Sequence, residues 1–169
     1  SADGLDIVLV IDASGTMRGT PIEDARRAAV DLLVGAMADD RFGVLTFNDD
    51  VTIVADLDED RDATEAAISG LVTGGNQSVL YKTVIEAIRL LRENGRRGRS
   101  AIVVVSDGHD ESLGVYTLED CIREARESDV PVFGLGLVQD AGEKRYLDVL
   151  RKMAERTGGR FTQVSSTGD

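Results

Sequence analysis

The sequence has no tryptophan, and aromatic residues make up only 4% of its 169 positions. A core of large rings is therefore excluded, and the 42% of hydrophobic residues must supply one mainly from Val, Ile, Leu and Ala. That mixture suits strands buried on both faces by helices, which favours an α/β arrangement. There is one cysteine, Cys121, so no internal disulfide can form, and its place in LEDCIREA reads as a small core residue rather than a reactive thiol. No apolar run approaches bilayer-spanning length, and the chain starts at Ser1 with neither an initiator Met nor a signal peptide. The expectation is one domain, residues 1–169, excised from a longer protein and monomeric in isolation. Basic charge is scarce too. Nineteen Lys and Arg face thirty-one Asp and Glu, and the net charge of −12 repels a phosphate backbone or an anionic membrane surface. Nucleic acid and direct membrane insertion are thus not expected, and the basic run RRGR at 96–99 reads as a solvated loop.

What is present is an alternation of strand and helix patterns. LDIVLVI (5–11) is the first strand. Thr20, Pro21 and Glu23 then look like an N-cap, a first helical residue and a capping-box partner, opening a helix that runs to about Met37. FGVLTF (42–47) and VTIVADL (51–57) are separated by Asn48, Asp49 and Asp50, a gap suited to a hairpin and too short for a parallel crossover. Helices follow near 61–71 and 79–92 with TGGNQS between them, and then AIVVVS (101–106), a helix opened by Thr117, VPVFGLGL (130–137), a helix near 143–156 and RFTQV (160–164). Repeated βα units with right-handed crossovers imply a doubly wound, mainly parallel six-stranded sheet with one antiparallel edge strand. Helices cover both faces, in a Rossmann-like strand order 3-2-1-4-5-6.

In such a sheet, ligands sit beyond the carboxyl ends of the strands at the switch point. Two strands here end in Asp, Asp12 after VLVI and Asp107 after VVVS, and the expected order makes those strands neighbours. Two close carboxylates repel and are costly to desolvate unless a cation or a shared proton relieves them. Ser14, Thr16 and a residue of the GGNQS loop add neutral oxygens. An all-oxygen set with few carboxylates suits Mg²⁺ better than a dedicated Ca²⁺ cage. His109, Asp110 and Glu111 follow Asp107 and either line the rim of the site or form a solvated acidic loop.

These residues carry a family likeness. DASGT resembles the D-x-S-x-S/T signature of the von Willebrand factor type A (integrin I-like) fold, GGNQSVLY resembles its G-G-x-T-x-L-Y loop, and SDGHDE resembles its strand-end T-D-G. MAERTGGRF (153–161) is similar to the family's C-terminal A-x-x-T-G-G segment. The resemblance implies a metal-ion-dependent adhesion site. Ser14, Thr16 and Ser78 hydroxyls would approach Mg²⁺, with Mn²⁺ as a substitute, while Asp12 and Asp107 act directly or through water. Thr16 stands where Ser is commoner and Ser78 where Thr is usual; the extra-looking Asn-Gln leaves Asn76 and Gln77 as alternatives to Ser78. The implied function is a non-enzymatic protein-binding module whose metal accepts an Asp or Glu from a partner protein, in an extracellular or cell-surface setting. The rival reading is a phosphotransfer enzyme, since VLVIDASGT also resembles the haloacid dehalogenase opening with Asp12 as nucleophile on Mg²⁺. Against it, position 14 is Ser where that family places an acid, and VFGLGL ends without an acidic pair.

Overall fold

Six strands join in one sheet in the order β3-β2-β1-β4-β5-β6. The structure is a computed structural model that describes residues 4–57, 60–96, 98–110, 114–137 and 144–164. At the centre, β1 (Asp6–Asp12) runs parallel to β2 (Arg41–Phe47) on one side and to β4 (Ser100–Ser106) on the other. In that register Ile11 lies opposite Thr46 and Val105. β5 (Val132–Leu137) and β6 (Phe161–Val164) continue the parallel series. β3 (Val51–Ala55) is antiparallel to β2, as the three-residue gap between them requires. It ends two residues earlier than its apolar pattern suggests.

Helices cover both faces. Val8, Leu9, Val10 and Ile11 of β1 are all fully buried, so the central strand has no solvent side and no polar alternation. Val8 and Val10 face a core formed with α3 (Leu80–Asn94), α4 (Leu118–Glu127) and α5 (Lys144–Thr157). Leu9 and Ile11 face a second core with α1 (Thr20–Gly35) and α2 (Arg61–Ser69). In α3 the buried residues Leu80, Val84, Ala87, Ile88 and Leu91 recur at helical spacing and form one stripe. Thr117 caps α4 in a reciprocal capping box with Asp120, and Cys121 is buried on that helix as its context suggested.

Two local expectations fail for physical reasons. The N-cap of α1 is Gly19, not Thr20, and no side-chain capping bond forms with Glu23. The chain leaves a 3-10 turn at Gly15–Met17 and reverses through Gly19 at φ 88°, a conformation that favours glycine, so Thr20 already lies inside the first helical turn. Nor is the RRGR segment simply a solvated loop. Arg96 turns inward to Asp6 at the amino end of β1, donating from Nη2 and Nε to Oδ1 at 2.8 and 3.1 Å and from its backbone N–H to Oδ2. Arg41 completes the clamp with Nε to Oδ1 and Nη2 to Oδ2, both at 2.8 Å. Burial works to raise the Asp6 pKa, but the hydrogen bonds from Arg41 and Arg96 outweigh it and hold the carboxyl near about 2. This clamp ties β1 and β2 to the connection that leads into β4, at the end of the sheet away from Asp12.

Candidate functional site

At the carboxyl end of the sheet, β1 terminates in Asp12 and Asp107 follows β4 directly. Because the two strands are paired, the last residues of both meet at one point. Ser106 Oγ donates to Asp12 Oδ2 at 2.8 Å and accepts from the Gly108 N–H at 3.0 Å. On the other oxygen, Asp12 Oδ1 accepts from the Ser14 hydroxyl at 2.6 Å and from the Ser14 N–H at 3.0 Å. This second pair is an Asx-type turn that folds the chain sharply after the strand and points Ser14 back over it. Ser14 Oγ then lies 3.0 Å from Thr16 Oγ1, and Thr16 Oγ1 donates to Asp107 Oδ2 at 2.7 Å. The remaining Asp107 oxygen accepts from the His109 N–H at 3.1 Å.

Asp12, Ser14, Thr16 and Asp107 thus form one continuous chain of oxygen contacts, carboxylate to hydroxyl to hydroxyl to carboxylate. It has three O···O links and only two hydroxyl protons. Ser14 gives its proton to Asp12 and Thr16 gives its own to Asp107, so with both acids ionised no proton stands between Ser14 and Thr16. Both carboxylates are buried, Asp12 at 0% and Asp107 at 2% exposure. Among the described residues no Lys, Arg or His side chain pairs with either one. Burial and then the charge of Asp107 raise the Asp12 pKa to about 6, although the bonds from Ser14 and Ser106 pull the other way. The donor set fits a hard cation. It is all oxygen, it holds excess negative charge, and a positive ion facing these oxygens would replace the missing proton. Among the described residues no cluster of three or more His, Cys, Asp or Glu forms a metal cage, so hydroxyls and water would have to complete the coordination.

Ser78 is placed differently from the other four. It lies in the connection between α2 and α3 and is 2% exposed, but among the described residues no hydrogen bond joins its hydroxyl to the Asp12–Asp107 chain. Its loop does reach the site. The Gly74 N–H donates to the Ala13 carbonyl at 3.0 Å, and Ser14 and Gly74 form an isolated parallel bridge. His109 enters through its backbone, while Asp110 Oδ1 accepts from the Tyr81 N–H at the start of α3. Glu111 lies outside the described residues. Sequence reasoning passed over Ser106, whose hydroxyl is as close to Asp12 as most of the motif, because a strand-terminal Ser carries no spacing signal. It also passed over Asp49, whose partners are backbone amides.

A doubly wound sheet with a hydroxyl and carboxylate cluster at its central switch point defines a class of α/β binding domain. The particular family follows from comparison: the profile of the von Willebrand factor type A domain matches residues 6–169, and the chain belongs to that family. The inter-alpha-trypsin inhibitor heavy chain H4 of Sus scrofa is 25% identical over 182 residues, covering 100% of this chain and 19% of that protein. The human heavy chain H2 is 26% identical over 179 residues, covering 97% and 18%. The chain therefore spans about a fifth of the length of these curated relatives. Among solved structures, a von Willebrand factor type A protein from Catenulispora acidiphila superposes with a TM-score of 0.75 at 20% identity, over 95% of this chain and 38% of that one. Domains of this family are in general protein-interaction modules rather than enzymes, and among the described residues no helix is long and apolar enough to cross a membrane.

Proposed function

We propose that this domain binds a divalent cation, Mg²⁺ with Mn²⁺ as substitute, at Asp12, Ser14, Thr16, Ser78 and Asp107. Through that cation it would bind a partner protein that offers an Asp or Glu carboxylate. The observation that supports this most strongly is the proton deficit: two buried acids, 0% and 2% exposed, are linked through two hydroxyls, with no basic side chain against them among the described residues. A divalent ion held by few direct carboxylates keeps part of its positive charge and exchangeable water, which is what an incoming carboxylate displaces. No acid stands at position 14 to serve as a proton donor, so binding without turnover is the reading adopted. An extracellular or cell-surface setting belongs to the same reading and is supported by the family resemblance alone.

The test has two stages. Calorimetry near pH 7 should show one Mn²⁺ or Mg²⁺ site that Asp12→Ala abolishes and Ser14→Ala weakens. With Mn²⁺ bound, a short peptide containing Asp should lower the water-proton relaxation caused by the ion, because it displaces a coordinated water, while the same peptide with Asn should not. Absence of metal binding in the wild type overturns the site. Equal responses to the Asp and Asn peptides overturn carboxylate capture.

A further inference from the structure

The loop that carries Ser78 is strung between two anchors. At its start Gly74 bonds to Ala13, and at its end the Val79 N–H donates to the Asn48 carbonyl at 3.1 Å. Between them, both amides of the turn converge on one atom: the Asn76 and Gln77 N–H groups donate to Asp49 Oδ1 at 2.8 and 2.7 Å. Asp49 sits on the β2–β3 hairpin, whose neighbouring Asp50 also pairs with Lys82 of α3 at 2.7 Å. Gly75 shows how closely the carboxylate is received. Its φ is 82°, and a Cβ built there would lie 2.8 Å from Asp49 Oδ1.

We infer that Asp49 is a positioning residue for the cation site, holding the 75–77 turn so that the Ser78 hydroxyl is presented to the ion. The inference rests on the metal reading above. It follows from chain geometry, since Ser78 comes directly after the two amides that Asp49 grips. Among the described residues these are the side-chain bonds that hold the turn between its anchors. The hairpin remains docked without them through the Asn48–Val79 and Asp50–Lys82 contacts, so the effect should fall on the turn and not on the fold. Residues that orient a metal ligand typically contribute about 10- to 100-fold to metal affinity, and an exposed one belongs at the low end.

Three variants test the inference by Mn²⁺ titration, thermal melting in EDTA and amide hydrogen exchange. Asp49→Ala should weaken Mn²⁺ binding about tenfold and speed exchange at Asn76 and Gln77, with the melting temperature in EDTA little changed. Asp49→Asn keeps an acceptor oxygen and should restore most of the affinity. Gly75→Ala, which leaves every charge in place but displaces the carboxylate, should weaken Mn²⁺ in the same direction as Asp49→Ala. Unchanged affinity in Asp49→Ala, with the wild type binding normally, overturns the positioning role and leaves the metal site standing. An Asn variant as weak as the Ala variant also overturns it, because Asp49 would then act on the ion by charge. A wild type that binds no Mn²⁺ removes the metal reading itself, and this inference with it.

Discussion

Replacing Asp6 by Asn tests whether the sheet is stapled at its amino end by a charge and not merely by hydrogen bonds. Asp6 is fully buried, while the side chains of Arg41 and Arg96 are 33% and 24% exposed. The carboxyl is held from its ordinary 3.8 down to about 2. At about 1.4 kcal/mol per unit, that difference corresponds to about 2 kcal/mol of stability. The sign follows from the depression: a folded-state pKa below the unfolded value stabilises at pH above about 4, and the gain is lost as pH falls toward about 2. Asn keeps one acceptor oxygen but turns an N–H₂ toward guanidinium donors. Removing one member of a buried ion pair costs about 3 to 5 kcal/mol, and the partial exposure of both arginines puts this case near 3. For a domain of this size each kcal/mol shifts Tm by about 2 to 4 °C, so the variant should melt about 6 to 12 °C lower near neutral pH. Urea titrations near pH 7 and near pH 2.5 provide the decisive comparison. The stability gap between wild type and variant should shrink by about half at the lower pH, because there the unfolded wild type binds the Asp6 proton while the folded state largely does not. A gap that stays constant with pH, or a Tm loss below about 2 °C, would refute the charge clamp.

Asp107→Asn should melt in EDTA at or above the wild-type temperature, because it removes a repelling charge while its oxygen still accepts from His109 and Thr16 can turn to accept from the amide. Mg²⁺ at about a hundred times its Kd should stabilise the wild type by about 2.7 kcal/mol and the variant little, so the two melting curves cross as Mg²⁺ rises. A variant that melts well below wild type in EDTA would show that Asp107 serves its own loop instead. Burial, then the charges of Asp110, Asp120 and Glu124, push the Cys121 thiol far up, so it should resist an aromatic disulfide reagent until the protein unfolds. Rapid labelling of the native protein would contradict its place in the core.

The parts of this fold that could be read from the sequence are those in which a side chain's neighbours are set by short-range periodicity. VLVI (8–11) and IVVV (102–105) are apolar at every position because both faces of the central strands are buried, and α3 shows its stripe because one face is. The antiparallel edge was readable from a three-residue gap, which permits only one geometry. Asp12, Ser14, Thr16 and Asp107 were readable because strand ends at a switch point converge, and the hydrogen bonds join those four. What escaped depends on backbone geometry or on long-range partners. Gly19 displaced the helix cap because a preceding 3-10 turn altered the chain's approach. Asp49 was passed over because its partners are amides that every residue possesses. Arg96 looked like part of a basic loop because Asp6, ninety positions away, shows no sign of waiting for it.

The two ends of β1 show what the site lacks. Each end carries a fully buried Asp, and burial alone drives both pKa values upward. At Asp6 the chain supplies two guanidiniums and the carboxyl is held near about 2. At Asp12 it supplies hydroxyls and a second carboxylate, and the pKa rises to about 6. The same residue type, on the same strand and at both ends out of contact with solvent, is thus neutralised from within at one end and left in conflict at the other. Size does not account for the difference, since the chain can place an Arg against a buried acid from far away in sequence, as Arg96 does. A buried like-charge pair is a continuing penalty to the fold unless something outside the polypeptide relieves it. Of the two agents able to do so, a proton would act only below about pH 6, whereas a divalent cation would act at neutral pH, facing a set of carboxylate and hydroxyl oxygens. On the metal reading proposed above, the strand end that opens the DASGT motif would supply part of an ion's coordination shell, and the unrelieved pair of carboxylates is what supports that reading over a turn that happens to be acidic.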